Sequence, residues 1–332
     1  MADYEPTPRT ATRSEVPVLD LSVLADPSPP TRLAAELREA CLSMGFFYVR
    51  NHGVPREVVE TAFAVNKRYF ELPEEERAQD RMDERFRSGF MPYGVNQQVG
   101  YAPDVKESYD FGIDLPLDDP DVAAGLPLHG PNKWPARHPW LRAGAEPYFQ
   151  HTLELGKRLL RPFAVSLGMD QNFFLQYCKK PVVKSRMFHY PPHPPVADLY
   201  GVAPHTDYGM ITLLTQDPIG GLELKTRAGE WIGAPWIDDT FIINLGDLFK
   251  VWTNDIYVSN QHRVVNRLGR ERYSIPTFFN LDYHAPVHCL PSCVSPENPA
   301  KYEQIYSGDY LVQRYKAVQK YKTPTEQGAA KV

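Results

Sequence analysis

Residues 203–217, APHTDYGMITLLTQD, open the stretch on which the fold turns. It continues as GGLELKTRAGEWIGAPWIDDTFIINLGDLFKVWTND over 220–255 and closes as SNQHRVVNRLGRERYSI over 259–275. Short runs rich in Ile, Leu, Val and Thr, punctuated by glycine and turn-forming Asp and Asn, read as a meander of β-strands. His205 and Asp207 stand two apart in the first run, and period-2 alternation places both on one strand face. His262 follows after the meander. Two imidazoles and a carboxylate covering one face of a metal, with the opposite positions open, form the arrangement expected for non-haem Fe(II) that activates O2. Arg272 and Ser274 repeat the two-residue spacing, so a guanidinium and a hydroxyl point together toward the metal-bearing pocket, as a seat for a carboxylate. Taken alone, His-x-Asp is a weak motif and a lone histidine is usually a hydrogen-bonded core residue. The order HTD, QHRVV, RYS within a β region carries the reading.

Composition sets the outer bounds. A chain of 332 residues with 42% hydrophobic content is long for one domain and suits a single β-barrel-type core with helical additions. The formal net charge of −5, with no basic block, argues against a nucleic-acid surface and leaves a small molecule as the expected partner. Cys41, Cys178, Cys289 and Cys293 form no CxxC and no disulfide framework. Cys289 and Cys293 are close enough in sequence to pair, but reduced thiols are the reading. The polar N-terminus lacks the apolar core of a signal peptide, and no run approaches the ~18 apolar residues of a membrane span, so a cytoplasmic protein without membrane contact is expected. With 32 prolines, many short elements and shaped loops are expected in place of long helices.

Taken in order, residues 1–15 read as a flexible tail, 16–322 as one domain and 323–332 as a second tail. Within the domain, 16–180 is expected to be mostly helical, 181–290 to form the β core with the metal site, and 291–322 to be helical. VPVLDLSVL (16–24) alternates like a short strand, TRLAAELREACLSMG (31–45) has apolar residues at helical spacing and a glycine stop at Gly45, and GFFYVRNHGVP (45–55) follows as a strand and turn. Residues 56–79 form a second helical region broken near Pro73. His52, in a turn before Gly53 and Pro55, is read as structural. The segment 85–116 is neither periodic nor simple. A long helix is predicted from Pro139 to about Leu167 with Gly168 as its stop, running along the back of the sheet, and Pro162 inside it predicts a kink or a break.

The strings VPVLDLS (16–22), GFFYVRNHGVP (45–55), FELPEEER (70–77), KESYDFG (106–112), HYPP (189–192), HTDYG (205–209), NLGDLFKVWTND (244–255), QHRVV (261–265), RYS (272–274) and SGDYLVQRY (307–315) run nearly end to end. Through them the chain resembles the isopenicillin N synthase-like branch of the Fe(II)- and 2-oxoglutarate-dependent dioxygenases. The resemblance implies an α+β fold: a double-stranded β-helix, or jelly-roll, core flanked by helices, with a long helix on the back of the sheet. It implies Fe(II) on His205, Asp207 and His262, with 2-oxoglutarate and O2 as cosubstrates. Arg272 and Ser274 would then grip the distal carboxylate of 2-oxoglutarate, and Tyr190 of HYPP matches a tyrosine that approaches it. Phe188 departs from the asparagine that many plant members carry. By the same resemblance Arg87, Tyr93 and Asn96 are candidate substrate contacts at the pocket mouth, and Tyr208, Phe279 and Asn280 are wall candidates; the competing structural reading makes them surface or packing residues.

The implied reaction splits 2-oxoglutarate into succinate and CO2 and oxidises a C–H bond of a small molecule, most simply by hydroxylation. Desaturation, ring closure or ethylene formation are alternatives on the same fold. A zinc hydrolase has the ligands but calls for a general base of the HExxH type, and the sequence has none. A binding module without catalysis is disfavoured by the intact ligand set.

Overall fold

Alternation along one short strand shows how the layers are made. In the strand β2 (Phe46–Arg50), Phe46 and Tyr48 join one apolar cluster while Phe47 and Val49 join another. Successive side chains point to opposite faces of a strand, so a strand buried on both faces reads as an unbroken apolar run. The computed structural model describes residues 7–98, 100–193 and 199–318.

Two sheets face each other. The larger has eight strands in the order β1-β2-β10-β7-β12-β5-β4-β3. Its strands are β1 (Val18–Asp20), β2, β3 (Gly89–Met91), β4 (Glu107–Gly112), β5 (Pro181–Tyr190), β7 (Ile211–Gln216), β10 (Phe241–Leu245) and β12 (Arg272–Asp282). The smaller sheet, in the order β6-β11-β8-β9, consists of β6 (Val202–His205), β8 (Leu222–Lys225), β9 (Trp231–Gly233) and β11 (His262–Val264). All pairings in these sheets are antiparallel except β1 with β2. Phe188, Tyr190 and Ile242 from the large sheet meet Val202, Leu222, Leu224 and Val264 from the small one, forming the inner cluster. This is the jelly-roll core.

Helices cover the outer face of the large sheet. They include α1 (Thr31–Ser43), α2 (Arg56–Phe70), the single-turn α3 (Glu74–Arg77) and α4 (Pro120–Ala123), and the long α5 (Pro139–Ser166). Gly45 and Gly168, both with positive φ, follow α1 and α5 as stops. Tyr148 of α5 reaches the sheet, where its hydroxyl lies 2.8 Å from both Thr215 Oγ1 and the Ile275 carbonyl. At Gly156 the helix comes so close that a Cβ would fall 2.3 Å from the Phe279 ring. The break allowed for at Pro162 does not occur, and α5 is continuous through Pro147 and Pro162. A proline costs a helix interior about 3 kcal/mol. Leu155, Leu159, Leu160 and Phe163 are each almost fully buried beside it, at roughly 1.5–3 kcal/mol apiece, which is enough to hold the helix together.

Two readings need correction. The stretch 1–15 was expected to be loose, yet in its described part Ala11 N donates to Gly233 O (2.8 Å) and Gly233 N donates to Arg9 O (2.8 Å), so the segment runs along β9. Arg9 also pairs with Glu15 and Glu230. The part 16–180 contributes helices as expected, and the strands read at 16–24 and 45–55 are β1 and β2, but it also supplies β3 and β4, so that half of the large sheet comes from it. β3 and β4 are buried on both faces and so show no alternation. The end of the chain carries α7 (Ser307–Val318), after the short α6 (Asp247–Trp252); the tail expected over 323–332 lies outside the described residues. All four cysteines are free thiols. No helix among the described residues is long and apolar enough to cross a membrane.

Candidate active site

The three candidate ligands meet at one end of the cavity between the sheets. His205 is the last residue of β6 and His262 the first of β11, and the two are direct cross-strand partners with ring centroids 4.2 Å apart. Residues 57 positions apart in sequence are thus neighbours through sheet pairing. Asp207 lies beyond the end of β6, so strand alternation is not what aims it. Its Oδ2 accepts hydrogen bonds from Thr212 Oγ1 (2.5 Å) and Asn244 Nδ2 (2.7 Å), which turn Oδ1 toward the histidines. Oδ1 lies 3.6 Å from His205 Nε2 and 3.8 Å from His262 Nε2. One ligand atom from each residue lies within 4.8 Å of the others.

The outward sides of the rings fix what faces inward. His205 Nδ1 is 2.9 Å from the Ala203 carbonyl, and His262 Nδ1 is 3.2 Å from that of Asn260. A carbonyl only accepts, so each Nδ1 carries the proton and each Nε2 offers its lone pair to the centre. Burial, with a second imidazole alongside, pushes His262 down to about 4, so it is neutral at pH 7. Burial opposes ionisation of Asp207, but at the acid pH where the carboxyl titrates the His262 and His205 rings are imidazolium, and their charge together with the Asn244 amide outweighs burial and holds the carboxyl well below its usual range. Two imidazoles with Nε2 turned inward and an ionised carboxylate, each with its far side already bonded, fit a divalent metal with N/O preference.

The other end of the cavity is built on β12. Its alternation turns Arg272, Ser274, Pro276, Phe278 and Asn280 to the cavity. Arg272 is 1% exposed. Its guanidinium donates to the Gly220 carbonyl, to Gln216 Oε1 (3.0 Å) and weakly to Ser274 Oγ (3.4 Å), and lies over the Tyr190 ring at 4.4 Å. Among the described residues no carboxylate bonds to it. The acceptors it bonds are all neutral and Asp217 answers its charge only at a distance, so the fork can still take an anion that arrives with a ligand. Tyr190, paired in register with Arg272, places its hydroxyl 3.5 Å from Ser274 Oγ.

The expected substrate contacts divide. Asn96, Tyr208 and Asn280 line the cavity, whereas Arg87, Tyr93 and Phe279 do not. Phe279 is odd in the β12 alternation and faces α5 through Gly156, so Phe278 takes the cavity position. Arg87 sits behind the wall with its guanidinium 4.3 Å over the Tyr315 ring. Tyr93 is 43% exposed and donates to Glu107 Oε1 (3.0 Å). Asn280 lines the cavity but spends its amide locally: Oδ1 accepts from Met210 N (3.1 Å) and Nδ2 donates to the Val182 carbonyl (3.0 Å).

Several lining residues escaped the sequence reading: Thr212, Asn244, Lys106, Asp104, and Leu311 and Tyr315 of α7. Phe278 was reachable, since it follows Arg272 by six on an alternating strand. Asp247 ties the segment after β6 to the C-terminal helix at this place. Its backbone N–H donates to the Asp207 carbonyl (2.8 Å), Tyr310 Oη of α7 donates to its Oδ2 (3.2 Å), and Arg314 stacks over Tyr208 at 4.4 Å.

Comparison with known proteins supports this arrangement. Residues 16–137 match the model for the N-terminal region of non-haem dioxygenases in morphine synthesis, and residues 170–281 match the 2OG-Fe(II) oxygenase superfamily. The 2-oxoglutarate-Fe(II) type oxidoreductase hxnY of Emericella nidulans is 36% identical over 90% of this chain and 89% of its own. Kihadalactone A synthase LFS of Citrus sinensis is 33% identical over 95% of this chain and 96% of its own. The crystal structure of Neurospora crassa thymine 7-hydroxylase with 2-oxoglutarate and thymine superposes with a TM-score of 0.81 at 29% identity, over 91% of this chain and 96% of that one.

Proposed function

The chain belongs to the 2OG-Fe(II) oxygenase superfamily, and from that membership we propose that His205, Asp207 and His262 hold the iron while Arg272, Ser274 and Tyr190 seat 2-oxoglutarate. The enzyme is a dioxygenase that uses Fe(II), 2-oxoglutarate and O2 on a small molecule. The observation that carries the residue assignment is the convergence of three ligand atoms within 4.8 Å, each with its far side already hydrogen-bonded. When bound, the iron supplies the O2-activating chemistry that links oxidative decarboxylation of 2-oxoglutarate, to succinate and CO2, with attack on a C–H bond.

The protein's share is placement. Thr212 and Asn244 keep Asp207 ionised and oriented, and the Ala203 and Asn260 carbonyls keep both imidazoles in the tautomer that binds metal. Arg272 gives the distal carboxylate of 2-oxoglutarate a charged fork, which fixes the direction in which its 2-oxo acid end reaches the metal. Phe188, Leu214 and Phe278 line the cavity with apolar surface, restricting water around the reacting centre. Tyr208 and Asn96 line the cavity, and in this reading they meet the small molecule, one C–H bond of which becomes C–OH. A cytoplasmic setting belongs to the same reading.

The test is succinate released from 2-oxoglutarate by Fe(II)-loaded protein in air, with and without pooled pyrimidines, amino acids, aromatic acids and terpenoids. Stimulation by one pool is expected, with a hydroxylated product by mass spectrometry. Protein that releases no succinate in any pool and binds no 2-oxoglutarate under anaerobic conditions would overturn the reading.

A further inference from the structure

The cavity holds a second cation that neither the metal site nor the Arg272 fork uses. Lys106 lies one residue before β4, in a segment that bridges the two sheets: Val105 N donates to the Tyr200 carbonyl (2.8 Å), and Ala203 N donates to Asp104 Oδ1 (2.9 Å). Lys106 Nζ is 2.6 Å from Asp104 Oδ2 and 5.2 Å from the centre of the Phe188 ring. The side chains of Lys106 and Asp104 are 7% and 2% exposed, and both residues line the cavity. The register that sets Glu107 opposite His189 puts Lys106 beside Tyr190, and Tyr190 is in turn paired with Arg272. Two buried cations therefore flank one tyrosine across three adjacent strands.

A purely structural reading explains Asp104 but not Lys106. Asp104 holds the edge of β6 through its bond to Ala203 N, and the backbone bond from Val105 does the rest. Lys106 adds no further tie. An ammonium carries three N–H donors, and among the described residues Asp104 is its one hydrogen-bond acceptor. Buried donors are ordinarily satisfied, and a buried ion pair is often no more stable than apolar side chains of the same volume. A lysine retained here, with donors facing a ligand cavity, matches an anionic oxygen brought by the ligand.

We propose that Lys106, steadied by Asp104, is a carboxylate-binding residue of this pocket. The proposal rests on the oxygenase reading given above. The carboxylate has two sources, the metal-side carboxylate of 2-oxoglutarate or an acid group on the primary substrate.

The test compares wild type, Lys106→Met, Lys106→Arg and the double variant Asp104→Asn/Lys106→Met. The double variant leaves no unpaired charge and keeps an acceptor for Ala203 N. With Mn(II)-loaded protein under anaerobic conditions, calorimetry measures the Kd of 2-oxoglutarate, and then of benzoate and benzamide on the 2-oxoglutarate complex. If 2-oxoglutarate is the source, its Kd rises about tenfold or more in both Met variants and recovers in Lys106→Arg. If the substrate is the source, 2-oxoglutarate binds as before, but a preference of wild type for benzoate over benzamide disappears in the Met variants. A folded double variant in which the 2-oxoglutarate Kd stays within about twofold of wild type and no benzoate preference is lost would overturn the proposal. Wild-type protein that binds no 2-oxoglutarate is a separate failure, which removes the oxygenase assignment of the residues itself.

Discussion

The floor and the mouth of the pocket are built in different ways. At the floor, His205, His262 and Arg272 stand on strands, and the groups that orient them come from the same or neighbouring strands and the turns joining them. At the mouth, Asn96 and Tyr208 come from loops and Leu311 and Tyr315 from the C-terminal helix, tied in by stacking of Arg314 on Tyr208 and Arg87 on Tyr315. Strand pairing holds positions to fractions of an ångström, whereas cation–π contacts are worth about 0.5–2 kcal/mol each. The difference separates what the chemistry requires to be fixed from what a substrate requires to be shaped.

The comparison can be broken first at the floor. His262→Ala or Asp207→Ala should abolish Mn(II) binding in equilibrium dialysis while the fold remains intact by circular dichroism; retained binding would move the metal site elsewhere. Arg272→Met should leave metal binding intact and weaken 2-oxoglutarate by roughly two orders of magnitude, in line with the 2–5 kcal/mol typical of a truncated buried charge pair. Asn244→Ala or Thr212→Val, which remove side-chain hydrogen bonds to Asp207 Oδ2, should weaken metal binding by about 10- to 100-fold. An unchanged affinity would show that Asp207 needs no orientation.

The mouth offers smaller effects. Lys184 anchors its outer segment, since Nζ donates to the Phe86 carbonyl (2.9 Å), and burial pushes this lysine from 10.5 down to about 8. Between pH 8 and 10.5 the unfolded chain keeps a proton that the folded chain has lost, so this group makes wild type more stable as pH rises through that window. Lys184→Met should lack this rise, so its Tm relative to wild type should fall by several degrees from pH 7.5 to pH 10. A gap independent of pH would contradict a depressed lysine. Smallest of all, Arg314→Ala should loosen α7 by about 1 kcal/mol, seen as roughly fivefold faster amide exchange in Ser307–Val318, with 2-oxoglutarate affinity unchanged.

The floor was legible in the sequence because its groups obey short-range rules. The Arg272 and Ser274 pair follows from period 2, and His205 and His262 stood out by residue type and order. Asp207 joins the histidines by a route other than strand alternation, because the strand ends at His205 and side-chain hydrogen bonds do the aiming. The mouth was legible only in part: Asn96 and Tyr208 were named, but Leu311 and Tyr315 reach the cavity from a helix far along the chain, which no local pattern announces. Arg87 and Tyr93 come from an irregular segment without a period and do not line the cavity, and for Phe279 the alternation from Arg272 already favoured its neighbour. The β-core and the long helix were readable from apolar patterning. The strands β1 and β2 were readable from 16–24 and 45–55, but β3 and β4 were not, since burial on both faces hides the alternation that marks a strand.

The most direct test of the central claim is succinate formation from 2-oxoglutarate in air, followed in Fe(II)-loaded wild type and in folded Asp207→Ala side by side. Succinate that appears in wild type, requires O2 and falls to the metal-free background in Asp207→Ala is the predicted result. Succinate formed equally by both proteins would contradict the assignment of this centre.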